Sequence, residues 1–98
     1  MKERYKEILI SIIKNHLPQA KIYLFGSQVT ENVQPYSDID LALDCGHKVE
    51  ESLMRAIKND IYDSTIPCKV DVIDVWDVDA EFLKNIKNRW KELEDVQR

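Results

Sequence analysis

Between Asp38 and Leu43 the chain alternates strictly: Ile39, Leu41 and Leu43 fall on one side of an extended backbone, and Asp38, Asp40 and Ala42 fall on the other. A period of two fits no helix. The segment is therefore expected to be a strand with one apolar face to bury and two carboxylates on the opposite face. A single strand of this kind cannot stand alone, so partners and a cover must be found elsewhere in the chain.

The strand partners are two short apolar runs. Ile22 to Phe25 is too short for a helix, is rich in strand formers, and runs straight into Gly26-Ser27. Val70 to Val75 is the second, carrying Asp71 on one side and Asp74 on the other. The cover comes from stretches with helical spacing. Tyr5, Ile8, Leu9, Ile12, Ile13 and Leu17 recur at three- and four-residue steps until Pro18 stops them, and Val49, Leu53, Ala56, Ile57 and Ile61 do the same. Asp77 and Asp79 are good caps for a closing helix whose apolar face is expected to run through Phe82, Leu83, Ile86, Trp90 and Leu93. The order is αββαβα, an α+β domain with three core strands backed by helices. Residues 28–37 read as a loop, with one helical turn after Ser27.

Length and composition narrow the class. Ninety-eight residues fit one hydrophobic core, so residues 1–98 are expected to form a single domain. Apolar residues at 44% and charged residues at 33% suit a globular protein. The longest apolar stretches are broken by Ser11 and Lys14, well short of the roughly 20 residues a membrane span needs. The start does not resemble a signal peptide, and Cys45 and Cys68 lack paired spacing, so a reducing, cytoplasmic setting is expected. Cys45, His47 and Cys68 are too scattered to be assigned a zinc ion. With 14 basic and 18 acidic residues the net charge is −4, which does not favour nucleic acid as a partner.

Three features converge on chemistry. A Gly-Ser follows the first strand, an Asp-Ile-Asp opens the second strand ten residues later, and an isolated Asp sits in the third. Asp38 and Asp40, two apart on a strand, present their carboxylates side by side. Left unpaired they repel. Hard oxygen ligands suit Mg²⁺ or Mn²⁺, and paired ions roughly 3.5–4 Å apart can stabilise both the attacking and the leaving oxygen at phosphorus. Asp71 is the candidate third metal ligand and proton acceptor. Gly26 permits a turn and close approach, while Ser27 offers a hydroxyl and an N–H to phosphate oxygens. Together these parts describe nucleotide transfer.

Phe25-Gly26-Ser27, ten residues, Asp38-Ile39-Asp40-Leu41, and then Val70-Asp71-Val72 resemble the minimal nucleotidyltransferases of the polymerase β superfamily. The Gly-Ser-x10-Asp-x-Asp spacing is similar to that of the antitoxins paired with HEPN-domain toxins in prokaryotes. The resemblance implies a polymerase β-like fold, a mixed sheet backed by helices. It implies catalytic metals held by Asp38, Asp40 and Asp71 and nucleotide phosphates held by Gly26 and Ser27. It also implies ATP as substrate, with AMP passed to a tyrosine hydroxyl of a HEPN toxin bound in a hetero-oligomer. Many relatives carry a basic residue directly after the Gly-Ser, whereas this chain has Gln28. No acceptor-binding domain follows the last helix, so the acceptor is expected to be a protein held by an exposed surface.

Plainer readings stand beside this one. Asp38 and Asp40 also describe the wet face of an ordinary half-buried strand, Asp71 the same in its own strand, and Gly26-Ser27 a simple turn. A protein of this fold could also act as a catalytically weak binding module that neutralises its partner by stoichiometric complex formation. Transfer to a small molecule such as an aminoglycoside is the third possibility. His16, in the last turn of the first helix, suits the negative end of the helix dipole. Trp76 and Trp90 read as core, and Lys84, Lys87, Arg89 and Lys91 as a solvated face.

Overall fold

The computed structural model describes residues 1–26 and 38–93. The element order is α1 (Glu3–His16), β1 (Lys21–Phe25), β2 (Ile39–Asp44), α2 (Glu51–Tyr62), β3 (Val70–Asp74), α3 (Ala80–Lys87) and β4 (Lys91–Leu93). The loop 28–37 and the helical turn expected after Ser27 lie outside the described residues.

The four strands form one sheet in the order β3-β2-β1-β4. β1 is antiparallel to both β2 and β4, and β2 is parallel to β3. The parallel pair needs a long crossover, which α2 provides. The expected mixed sheet is thus present, with a fourth strand added.

The alternation in β2 divides the sheet as its sequence requires. On one face Ile39, Leu41 and Leu43 join Ile22 and Leu24 of β1 and Val72 of β3. Leu9, Ile10 and Ile13 of α1 and Ile57 and Ile61 of α2 cover them. Side chains of this size contribute about 1.5–3 kcal/mol each when fully buried, so this layer carries most of the stability. α1 stops where expected: Leu17, ahead of Pro18, leaves the helical backbone at φ −134°. His16 Nε2 lies 2.7 Å from Asp60 Oδ2 and joins the end of α1 to α2.

The other face is only partly covered. Phe25, Ala42 and Val75 form a smaller cluster with Tyr23, Ile73, Leu83, Ile86 and Trp90. α3 supplies the cover, started by Asp79, whose carboxylate accepts from the N–H groups of Glu81 and Phe82.

Two expectations are corrected here. The closing helix does not run to Leu93 but ends at Lys87, and residues 91–93 form an edge strand on β1. Helical spacing through Trp90 and Leu93 competes with a tertiary alternative. Trp90 stacks on Tyr23 with ring centroids 3.8 Å apart, and Leu93 pairs across from Ile22 and enters the main core. The strand also satisfies the open edge of β1, which no helix could do. Trp76 is not core: it is 55% exposed, and its indole N–H donates to Asp44 Oδ1 at 2.8 Å. Among the described residues no helix is long and apolar enough to cross a membrane.

Candidate active site

Asp40 and Asp71 are direct register partners across the parallel β2–β3 pair. Partners on adjacent strands sit about 4.8 Å apart in the hydrogen-bonding direction with side chains on the same face. That is the face of α3. The carboxylates stand toward the end of the sheet where β2 and β3 begin. Asp38 lies exposed, one residue ahead of β2. The structure thus brings Asp40 and Asp71 together, with Asp38 at the same end.

Gly26 closes the site from the side of β1. Phe25 is the register partner of Asp40, and Gly26 follows it with φ +76°, a backbone conformation that side chains rarely adopt. A Cβ built at Gly26 would collide with the Asp40 carboxylate. The absence of a side chain is what lets that carboxylate occupy its place. Ser27 and Gln28 lie outside the described residues.

The electrostatics follow from this crowding. Partial burial, then the charges of Asp71 and Asp38, push the Asp40 carboxyl above its ordinary value of 3.8, and Lys69 opposes them. Lys69 Nζ lies 4.0 Å from Asp71 Oδ2. Lys69 was missed in the sequence, although its position two residues before Asp71 on an extended chain places both on one face. The oxygen donors suit a hard divalent cation, which would neutralise the charge that disfavours ionised Asp40. Among the described residues no three His, Cys, Asp or Glu side chains are gathered closely enough to hold an ion by themselves. The phosphate oxygens of a bound nucleotide could supply the remaining ligands.

A cleft of about 1110 Å³ opens at these carboxylates. Its lining includes Phe25, Asp40, Lys69, Asp71, Tyr62 and Phe82. The ring of Phe82 meets that of Phe25 edge to face, with centroids 6.2 Å apart. Asp74 takes no part. It is 6% exposed on the opposite face, and its carboxylate accepts from the N–H groups of Val49 at 2.7 Å and Trp76 at 2.9 Å. Asp74 therefore serves the frame, tying the end of β3 to the approach to α2.

Comparison with known proteins places these features. The profile of the family described as polymerase beta, nucleotidyltransferase, matches residues 7–96. A probable protein adenylyltransferase MntA of Haemophilus influenzae is 28% identical over 79 residues, spanning 81% of this chain and 68% of that protein. An aminoglycoside (3'')(9) adenylyltransferase of Klebsiella pneumoniae is 30% identical over 59 residues, which cover 58% of this chain and 22% of that enzyme. Among solved structures, a toxin–antitoxin complex with AMP-PNP superposes with TM-score 0.76 at 22% identity, covering 94% of this chain and 74% of the matched one. The Shewanella oneidensis complex of a tri-AMPylated HEPN toxin with its MNT antitoxin superposes with TM-score 0.75 at 20% identity, covering 98% and 74%. At these identities the structural likeness establishes the fold.

Proposed function

Because this chain belongs to the polymerase beta nucleotidyltransferase family, we propose that it is a metal-dependent protein adenylyltransferase, the antitoxin of a toxin–antitoxin pair. It passes AMP from ATP to a tyrosine hydroxyl of a HEPN-domain toxin in the same compartment, the cytoplasm. The observation that carries this reading is the register pairing of Asp40 with Asp71, with Gly26 stripped of a side chain beside Asp40. The relative named as a probable protein adenylyltransferase and the fold shared with toxin–antitoxin complexes support the choice of acceptor.

In this reading the acceptor oxygen attacks the α-phosphorus, the bond to the bridging oxygen breaks, and pyrophosphate leaves. Asp71 is exposed to the cleft and takes the acceptor proton, while Gly26 and Ser27 hold phosphate oxygens through backbone N–H and hydroxyl donors. Asp38, Asp40 and Asp71 would hold Mg²⁺ or Mn²⁺, which would supply positive charge for the oxygens of the reacting phosphate. The stretch shared with the aminoglycoside enzyme is too small a part of that protein to argue for a small-molecule acceptor.

A second reading rests on one observation: Gln28, directly after Gly26-Ser27, brings no positive charge to phosphate. On that reading the chain neutralises its partner by binding alone. Incubating the cognate toxin with this protein, ATP and Mg²⁺ and recording the toxin's intact mass decides between them. Whole AMP units gained with wild type and lost with Asp38→Ala/Asp40→Ala support the enzyme; a stable complex without mass gain supports the binding module.

A further inference from the structure

Among the described residues, Lys69 is the one cation in contact with the carboxylates of this site. Its backbone is fixed, because its carbonyl accepts from the N–H of Ile39 at 2.8 Å, the bond that starts the parallel ladder. Its side chain lines the cleft on the same side as Asp71, with Nζ 4.0 Å from Asp71 Oδ2. Both partners of this ion pair are exposed, at 69% and 51% of their side-chain surface. An exposed pair of this kind is worth little and exchanges readily for a better one.

Charge balance gives Lys69 a task. A nucleoside triphosphate brings roughly four negative charges to a site already holding three carboxylates. The position after Gly26-Ser27 is Gln28, which brings no positive charge. Among the described residues lining the cleft, the basic ones are Lys58 and Lys69, and Lys69 is the one in contact with a carboxylate of the cluster. A lysine ammonium on a flexible four-carbon stem is a compact point charge that can move between neighbouring anions.

We propose that Lys69 is the phosphate-binding cation of the nucleotide site, resting on Asp71 in the free protein and transferring to the triphosphate oxygens when a nucleoside triphosphate enters. This rests on the nucleotidyltransferase reading and adds a residue to it. Lys69 touches substrate through phosphate, so removing its charge weakens triphosphate binding and spares the acceptor.

The test compares wild type, Lys69→Met and Lys69→Arg for binding of ATP and of adenosine by calorimetry, alongside thermal unfolding and toxin modification. Lys69→Met is expected to weaken ATP binding about tenfold, with adenosine binding unchanged and Lys69→Arg near wild type. Equal ATP affinity in folded wild type and Lys69→Met overturns the proposal while leaving the enzyme reading intact. So does equal weakening for adenosine, which would mark a distortion of the site. Should Lys69→Met fail to fold, an ATP affinity in Lys69→Gln equal to that of wild type is the overturning result. Wild type that binds no ATP and modifies no toxin overturns both this proposal and the reading it rests on.

Discussion

The carboxylate of Asp40 fills the space that a side chain at Gly26 would need. Gly26 also holds φ +76°, so two independent constraints exclude a Cβ there. Gly26→Ala is expected to lose about 1–2 kcal/mol from backbone strain alone, with a further loss from displacing Asp40. In an Asp40→Ala background only the backbone part should remain. Urea unfolding of the four proteins measures the coupling, expected at about 1 kcal/mol. Purely additive losses would mean that the two residues do not meet.

Asp71 and Asp74, three residues apart on one strand, should separate function from stability. Asp71→Ala removes an exposed carboxylate and is expected to cut transfer by about a hundredfold or more with little change in Tm. Asp74→Ala strands the N–H groups of Val49 and Trp76 and is expected to cost about 1–3 kcal/mol. Transfer rates and thermal scans on the same two variants check both halves. A stable Asp74→Ala protein would show that those N–H groups find other partners.

The acid limb of stability carries two opposite contributions. The Trp76 indole N–H, then the Gly46 N–H, hold the Asp44 carboxyl below its ordinary 3.8. The unfolded chain therefore binds that proton first, and the stability Asp44 contributes is present above 3.8 and lost as pH falls through its folded value. Trp76→Phe should flatten this loss. Melting curves from pH 2 to 7 would show an unchanged slope if the indole contact is not formed.

Asp40 has the reverse sign. Its folded carboxyl lies above 3.8, so the native state binds the proton first, and stability falls as pH rises through that window and stays lowered at pH 7. Asp40→Asn should therefore melt above wild type at pH 7, with the difference vanishing below 3.8. Millimolar Mg²⁺ should raise the Tm of wild type and leave Asp40→Asn unmoved. Thermal scans with and without Mg²⁺ test this, and a less stable Asp40→Asn at pH 7 would count against the crowding of charge.

The edge strand depends on one aromatic pair. Trp90→Ala removes the ring stacked on Tyr23 and is expected to cost about 2 kcal/mol, since the site is only half buried. Amide exchange should then rise first at Ile22 and Leu24, whose strand faces β4.

The parts of the site written in local pattern were legible without coordinates. Alternation put Asp40 on the face of β2 opposite Ile39 and Leu41, with Asp38 one residue ahead of the strand, and the opposite placement of Asp71 and Asp74 followed from a separation of three residues. Lys69 escaped notice because a lone lysine before a strand carries no signal until its strand's partner is known.

What the sequence by itself determined is the period of each segment: two in β2, three to four in α1 and α2, with Pro18 and Asp79 setting helix limits. These depend on steric and hydrogen-bonding rules acting over a few residues. Only the tertiary structure decided that Asp40 lies beside Asp71, that Gly26 must yield to Asp40, and that residues 91–93 leave a helical pattern to finish the sheet. Those outcomes depend on register, on an open strand edge and on a ring for Trp90 to stack against. Such contacts join residues about 15 to 70 positions apart, beyond the reach of any local period.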